Sequence, residues 1–348
     1  MFRLRGTTPA ARTVFSRVRV QRAARGVALA ALAAALTAAA LATADNARGD
    51  DDPDRTVVRT DQGAVRGTVS DRARIFQGIP YAAPPVGDRR WRAPEPAPGW
   101  DGTRDARKPG PRCPQPLDGL LAGDEDCLYL DVTTPPHVTV GADKPVVVWL
   151  HGEEPPHRGR PPHRTGDPVD ATALAEREDA VVVTVHHRLG AFGHLAHPAF
   201  GDSGNFALAD QQAALHWVKR NARAFGGDPD RMTLTGAPSA RASVCAQLRS
   251  PDAAHLFDHT EVPSGACSVG ERRRGLPRAL REGREFAARA GCVERDTGRA
   301  AACLRRLSTA AVAAASGPDE RYGPVYGTRP LPAPATGGGP PGGAVSPG

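Results

Sequence analysis

The sequence predicts a doubly wound α/β fold, in which helices cover a sheet that contains buried parallel strands. Two continuous apolar runs, 146–150 and 181–183, are typical of strands buried on both faces. An apolar stripe at helical spacing, including Leu208, Leu215 and Val218, predicts a helix over 206–225. Strand and helix patterns alternate along this part of the chain, and this order favours a layered α/β architecture.

The remaining elements follow from local patterns. Apolar and polar residues alternate on both sides of Asp61-Gln62-Gly63, which predicts a β-hairpin over 56–69. Gly226-Gly227-Asp228-Pro229 is expected to end the 206–225 helix. The other predicted strands are 128–132, 145–150, 180–185 and 232–234, and the other predicted helices are 240–248, 278–290 and 300–315.

The first 44 residues have the three parts of a secretory signal peptide. A stretch rich in arginine ends at Arg25, an Ala/Leu run follows, and small residues before Asp45 predict cleavage after Ala44. We therefore expect a secreted protein with no stable membrane association after cleavage; an uncleaved anchor is the alternative. Beyond it we expect a loose charged linker over 45–55, a folded domain over 56–330 and a disordered Pro/Gly-rich tail over 331–348.

The positive charge of the chain does not indicate a nucleic-acid partner. The formal net charge is +7, with 45 basic and 38 acidic residues. The leader carries seven arginines and no acid, so the rest of the chain is balanced at 38 of each. A phosphate-binding surface needs a basic excess that survives this subtraction.

Six cysteines in an exported chain indicate disulfides. The short separations suggest pairing within two couples and leave a third, although six cysteines allow fifteen pairings and spacing alone does not choose among them. The three couples are Cys113 with Cys127, Cys292 with Cys303, and Cys245 with Cys267.

Several local motifs together resemble the type-B carboxylesterases and cholinesterases. The segment 76–82 reads Phe-Gln-Gly-Ile-Pro-Tyr-Ala, and Pro-Pro-Val-Gly follows at 84–87. A second signature, Glu-Asp-Cys-Leu-Tyr-Leu-Asp-Val, spans 125–132, with Cys127 at the position of the family's disulfide cysteine. Further matching segments are Arg188-Leu189-Gly190, Gly204-Asn205, Asp210-Gln211 and 225–229. This resemblance implies the α/β-hydrolase fold, with a mostly parallel sheet that is truncated on its C-terminal side.

The resemblance also implies a serine esterase, which needs a nucleophilic Ser on a sharp turn, a His and an acid. Here the turn reads Gly-Ala-Pro-Ser-Ala over 236–240, so Pro238 occupies the family's nucleophile position. Proline has no hydroxyl, and its ring restricts the backbone. Ser239 is the candidate for a displaced nucleophile; the alternative is that Pro238 and Ser239 open the next helix, with Ser239 as its cap.

The oxyanion loop of the family, His-Gly-Gly-Gly, is altered as well. Gly152 is kept, whereas Glu153 and Glu154 replace the two following glycines. Carboxylates there would repel a developing oxyanion. The order of the triad is Ser, acid, His, and His255 and His259 come too early in the chain to be the catalytic His. We therefore expect the acid and the His to be missing.

No metal site and no cofactor are expected. His151, His157 and His163 have no common ligand spacing, and the Pro-rich sequence around them is typical of a flexible loop.

The sequence leaves three functions open. The first is a secreted esterase-family protein without activity. The second is an active serine esterase that acts on a small-molecule carboxylic ester and whose sequence here carries frame errors, since 152–168 changes composition abruptly between intact motifs. The third is a non-catalytic binding protein on the same fold.

Overall fold

The computed structural model describes residues 54–117, 120–152, 169–201, 204–262, 267, 274–317 and 322–333. The expected signal peptide, most of the linker and most of the tail lie outside these residues. The strands, in chain order, are β1 (Val57–Arg59), β2 (Ala64–Arg66), β3 (Thr68–Val69), β4 (Arg74–Pro80), β5 (Thr103–Asp105), β6 (Gln115–Leu117), β7 (Leu120–Ala122), β8 (Tyr129–Thr134), β9 (Lys144–Leu150), β10 (Val181–Val185), β11 (Gly227–Gly236), β12 (His259–Thr260), β13 (Arg274–Gly275) and β14 (Val325–Tyr326).

Helices connect and cover these strands. Short 3-10 turns precede or extend several of them, notably Ala222–Phe225 and Pro238–Ala240. The α-helices are α1 (Ala171–Glu178), α2 (Gly190–His194), α3 (Phe206–Asn221), α4 (Arg241–Gln247), α5 (Leu276–Arg289), α6 (Thr297–Arg305) and α7 (Thr309–Ala315).

A mixed sheet of seven strands runs through the described part of the chain, in the order β12-β11-β9-β10-β8-β4-β3. The pairings of β12 with β11, β11 with β9 and β9 with β10 are parallel. The pairings of β10 with β8, β8 with β4 and β4 with β3 are antiparallel. A separate sheet contains the predicted hairpin, β1 paired with β2, together with β5. The strand–helix–strand order predicted from the sequence is therefore confirmed.

The two central strands differ in how they are buried. In β10, Val181, Val182 and Val183 are all at most 2% exposed, as the continuous apolar run predicts. In β9 the alternate residues Val147 and Trp149 are only half-buried. The expectation that this strand is buried on both faces is wrong, because the short helix α1 covers only part of that face.

The long helix α3 packs against the other face of the sheet. Leu208, Leu215 and Val218 are each at most 1% exposed, and each such side chain contributes about 1.5–3 kcal/mol by burial. The helix ends at Asn221, and the turn after it closes at Gly226, where φ is +84°. A side chain there would also meet Val138, so this position requires glycine.

One predicted helix is two helices. The predicted span 300–315 is divided into α6 and α7, because the Ser308 side chain caps the second one by accepting from the Ala311 N–H at 3.1 Å. The Arg90 side chain stabilises the break between the two helices, because it donates hydrogen bonds to the carbonyls of Arg305 at 3.0 Å and Leu307 at 2.6 Å.

Three disulfides join the described cysteines. They link Cys113 to Cys127, Cys245 to Cys267 and Cys292 to Cys303. The structure thus selects one pairing out of those that the sequence leaves open, and every bond closes a short loop of the chain.

Candidate active site

The turn after β11 is the place where the sequence predicts a nucleophile. The register pairs Gly236 with Leu150, so this turn lies beside the end of β9, where the altered oxyanion loop begins. Gly236 is required there, because a Cβ would overlap the Leu150 carbonyl oxygen. Sheet pairing therefore brings together two segments that are more than eighty positions apart in the chain.

The turn itself has a relaxed backbone. Ala237 is extended, with φ −62° and ψ 157°, and the Ala240 N–H donates to the Ala237 carbonyl at 2.8 Å. Pro238 opens the 3-10 turn. Among the described residues, positive φ values outside glycine occur only at Trp91, Asp143, Asp179 and His255, and none falls in this turn. A nucleophile elbow is a sharp and strained turn, and this geometry lacks that strain.

The two candidate positions differ in chemistry and in exposure. Pro238 is exposed and has no nucleophilic atom; Ser239 is half-buried. The interpretation of Ser239 as a helix cap is wrong, because Ala237 caps the 3-10 turn, Ala240 caps α4, and neither element has a side-chain cap hydrogen bond. Proline is tolerated at position 238, because the N–H that proline lacks would have no partner at the first position of the turn.

Gly152 touches the same turn from the other side. A Cβ on Gly152 would overlap the backbone of Ser239 and Ala240, so Gly152 packs directly on the peptide group between these two residues. Glu153 and Glu154 lie outside the described residues. The start of this loop therefore lies against the turn that carries Pro238 and Ser239.

Two stacked imidazoles support the oxyanion loop. The rings of His151 and His187 are parallel, with centroids 4.4 Å apart. His187 Nε2 lies 3.1 Å from the His151 carbonyl oxygen and 3.3 Å from the Gln211 amide nitrogen. Burial lowers the pKa of both histidines, that of His151 well below its usual value, so both rings are neutral at pH 7.

A buried ion pair anchors the chain just beyond His187. The Arg188 guanidinium donates to both oxygens of Asp210, at 2.7 Å and 2.6 Å, and the Asp210 side chain is fully buried. This bidentate pair fixes the end of β10 to α3. Both residues belong to segments that the sequence singled out by family resemblance alone.

Sequence reasoning missed a chain of buried amides that continues from this point. Gln247 donates to Gln211 at 2.9 Å and accepts from Gln212 at 3.0 Å. Ser250 then donates to the Pro330 carbonyl at 2.7 Å. The Gln211-Gln212 pair inside an apolar helix is the signal that could have indicated buried polar partners.

The downstream histidines do not reach the turn. His255 is exposed, and His259 is exposed on the edge strand β12, where it pairs with Thr233 upstream of Gly236. Within the described ranges there is no group of three or more His, Cys, Asp or Glu residues that could hold a metal ion. His157 and His163 of the candidate metal set lie outside those ranges.

The family model described as "Carboxylesterase family" matches residues 54–333. The chain belongs to the carboxylesterase family. The α/β-hydrolase fold predicted from the motifs is therefore confirmed.

Similar proteins cover the same portion. The chain is 39% identical over 227 residues to the para-nitrobenzyl esterase of Bacillus subtilis (strain 168), covering 60% of this chain and 44% of that protein. It is 34% identical over 293 residues to the acylcarnitine hydrolase of Mus musculus, covering 77% and 50%. A crystal structure of a carboxylesterase from Geobacillus stearothermophilus superposes with a TM-score of 0.67 at 36% identity, over 78% of this chain and 55% of that one. The chain thus spans about half the length of these relatives.

None of the helices in the described portion of the chain is both long and apolar enough to cross a membrane.

Proposed function

We propose that this chain is an exported carboxylesterase-family protein that does not hydrolyse esters. The observation that carries the proposal is the turn at Pro238, where an exposed proline replaces the nucleophile in an unstrained backbone. Ester hydrolysis in this family requires a hydroxyl held at that position by a strained turn. Ser239, one residue later, is half-buried.

The composition of the oxyanion loop supports the same proposal. Backbone N–H groups of glycines approach the substrate oxygen closely because glycine has no side chain. Glu153 and Glu154 replace two of them in the sequence and add negative charge next to the place where negative charge would develop. The loss of one oxyanion donor alone lowers turnover about a hundred- to thousand-fold.

Export is supported by the leader and by the cysteines. Residues 1–44 combine a basic stretch, an apolar run and a small-residue cleavage site. The three disulfides fit an oxidising compartment, since structural disulfides persist outside the cytosol. Secretion with cleavage after Ala44 would be checked by N-terminal sequencing of the protein recovered from the medium.

The proposal is tested by ester turnover. The full chain is expressed with its leader, recovered after export, and assayed with p-nitrophenyl acetate and p-nitrophenyl butyrate beside Ser239→Ala and Pro238→Ser. We expect all three proteins to match the uncatalysed rate. Pro238→Ser restores a hydroxyl but neither the strained turn nor the glycines of the oxyanion loop. It therefore tests whether the hydroxyl alone is enough for turnover.

Two outcomes would overturn the proposal. Turnover by the unmodified chain that disappears in Ser239→Ala would identify a working displaced nucleophile. Turnover that survives Ser239→Ala and copurifies with the folded chain would identify another nucleophile. An active serine esterase acting on a small-molecule carboxylic ester would then be the function, and resequencing the codons for 152–168 would show whether a frame error altered the loop.

A non-catalytic binding role on the same fold is the second candidate. It is favoured by an extended buried core, in which Phe76, Leu130, Val148 and Leu234 are fully buried, although the hydrolytic turn is lost. A single cooperative thermal unfolding transition is the expected result for such a protein. A broad, non-cooperative transition would argue against it.

A further inference from the structure

A cavity of about 450 Å³ opens on the face of the sheet that carries α1. The register places Thr184 beside Asp131 and beside Trp149, so these three side chains stand on one face and form its floor. Other walls come from β4, from residues 109–115 and from the start of α1, and no residue of the 237–241 turn lines it. Its volume lies within the range of small-molecule sites.

The acids of the cavity already have partners. Asp131 accepts the Gly78 N–H at 2.8 Å, and Asp170 caps α1 by accepting the Ala173 N–H at 2.9 Å. Burial also raises the pKa of Asp131. Each of these carboxylates therefore already accepts a backbone hydrogen bond.

The basic group of the cavity has no such partner. Within the described ranges the exposed Arg112 guanidinium forms no ion pair or hydrogen bond, although it lines the cavity. The charge of Arg112 acts on the cavity lining, because it contributes to the lowered pKa of His151. Burial and the neighbouring His187 and His186 are the larger causes of that lowering. The first residues of α1 add the partial positive charge of a helix N-terminus. An unpaired guanidinium beside a helix start favours an anion.

Apolar side chains line the cavity beside its polar ones. Ile75, Trp149 and Val169 line the cavity, and the indole of Trp149 is half-buried, which leaves part of its surface for contact with a ligand. Among the described residues, Arg112 supplies the one guanidinium that lines the site, and its planar fork matches the two oxygens of a carboxylate. A ligand with one carboxylate and a compact apolar body matches both Arg112 and these apolar side chains.

We propose that this cavity binds a small organic carboxylate, with Arg112 pairing with the carboxylate and Trp149 contacting the apolar body. The proposal does not depend on whether the chain hydrolyses esters, because neither Pro238 nor Ser239 lines the cavity, although His151 belongs both to its lining and to the candidate active site.

The test is a titration of the full chain with benzoate, followed by tryptophan fluorescence. Three probes of similar shape differ in charge: benzoate, benzyl alcohol and benzylammonium. We expect saturable quenching by benzoate at or below about 10 mM, and binding of benzyl alcohol weaker by roughly tenfold or more, because the charge-assisted hydrogen bonds are lost. Arg112→Gln should weaken benzoate binding by a similar factor.

Two further variants localise the site. Trp149→Phe should remove the quenching, while the other three tryptophans, Trp91, Trp100 and Trp217, remain. Arg107→Gln is the matched control, since Arg107 is exposed and paired with Asp105 at 2.7 Å, and it should bind benzoate as the unmodified chain does.

Three results would overturn the proposal: no saturable quenching by benzoate, equal affinity for benzylammonium, or equal benzoate affinity of Arg112→Gln and Arg107→Gln. Quenching that persists in Trp149→Phe would place the site elsewhere and would count against it as well.

Discussion

Protonation of His194 is expected to destabilise the protein in acid. The ring is buried in α2, with Nδ1 at 3.3 Å from the Gly204 carbonyl oxygen. Burial, with the nearby charge of Arg274 as the next cause, lowers its pKa to about 3. The folded pKa is below the unfolded value of about 6.5, so the unfolded chain takes up the proton first. The stability is complete above pH 6.5 and is lost as the pH falls towards 3.

The magnitude follows from the size of the shift. Each pH unit inside this window costs about 1.36 kcal/mol for one such histidine, so the loss between pH 7.5 and pH 4.5 is about 2.7 kcal/mol. His151 and His187 also have lowered pKa values and add loss in the same direction, whereas the raised pKa of Asp131 acts against it. The share of His194 must therefore be isolated by a variant.

Urea denaturation followed by tryptophan fluorescence at pH 7.5 and pH 4.5 isolates it. His194→Asn keeps an amide N–H near the Nδ1 position and cannot be protonated. We expect its free energy of unfolding to fall by about 2.7 kcal/mol less between the two pH values than that of the unmodified chain. His216→Asn is the matched control, because solvent reaches the exposed His216 in the folded chain. An equal fall in His194→Asn and the unmodified chain would refute the reasoning.

Three further predictions concern stability. Arg188→Met leaves the fully buried Asp210 carboxylate without its partner and should lower the free energy of unfolding by about 3–5 kcal/mol in chemical denaturation. Gly152→Ala forces a Cβ into the backbone beyond Pro238 and should cost about 1–3 kcal/mol or more by thermal unfolding. Cys303→Ser opens the loop closed by its bond to Cys292, a separation of 11 residues, and should cost about 3 kcal/mol in non-reducing denaturation.

Each of these has a control. Arg72→Met breaks the exposed pair with Glu176 and should cost less than about 1 kcal/mol, so an equal cost for Arg188→Met would contradict the importance of burial. Gly323→Ala places a Cβ in open space and should change stability by less than about 0.5 kcal/mol. If Gly152→Ala is equally mild, Gly152 does not pack on the turn. The third control compares free energies of unfolding. If the unmodified chain under reducing conditions has the same value as Cys303→Ser without reductant, the other two disulfides contribute nothing.

Strands with uniform composition could be predicted from the sequence, and interrupted strands could not. The predicted spans 145–150 and 180–185 each differ from β9 and β10 by one residue at the start, because runs of valine have few alternatives to a strand. β4 was missed as a strand, since it contains Gly78 and Pro80, two residues depleted in strands. Gly78 has φ +66° and lies where the pairing with β8 shifts register, so the sheet accommodates both residues through an irregularity.

The split of the last predicted helix shows a second limit. Alanines on both sides of Ser308 favour a continuous helix, and helix propensity alone does not end it there. The break is stabilised by Arg90, more than two hundred residues earlier, which donates to the carbonyls freed at Arg305 and Leu307 and pairs with the buried Glu125. Contacts over that separation cannot be recognised in a local window.

By itself, the sequence determined the chemistry of the candidate site: Pro238 has no hydroxyl, and Glu153 and Glu154 are not glycines, whatever the fold. The tertiary structure alone decided what these positions lie next to. Parallel pairing of β9 and β11 sets Gly152 against Ser239, and the end of β10 stacks His187 on His151. Residue identity is local, whereas proximity depends on the register of strands that are far apart in the chain, and the core fixes that register.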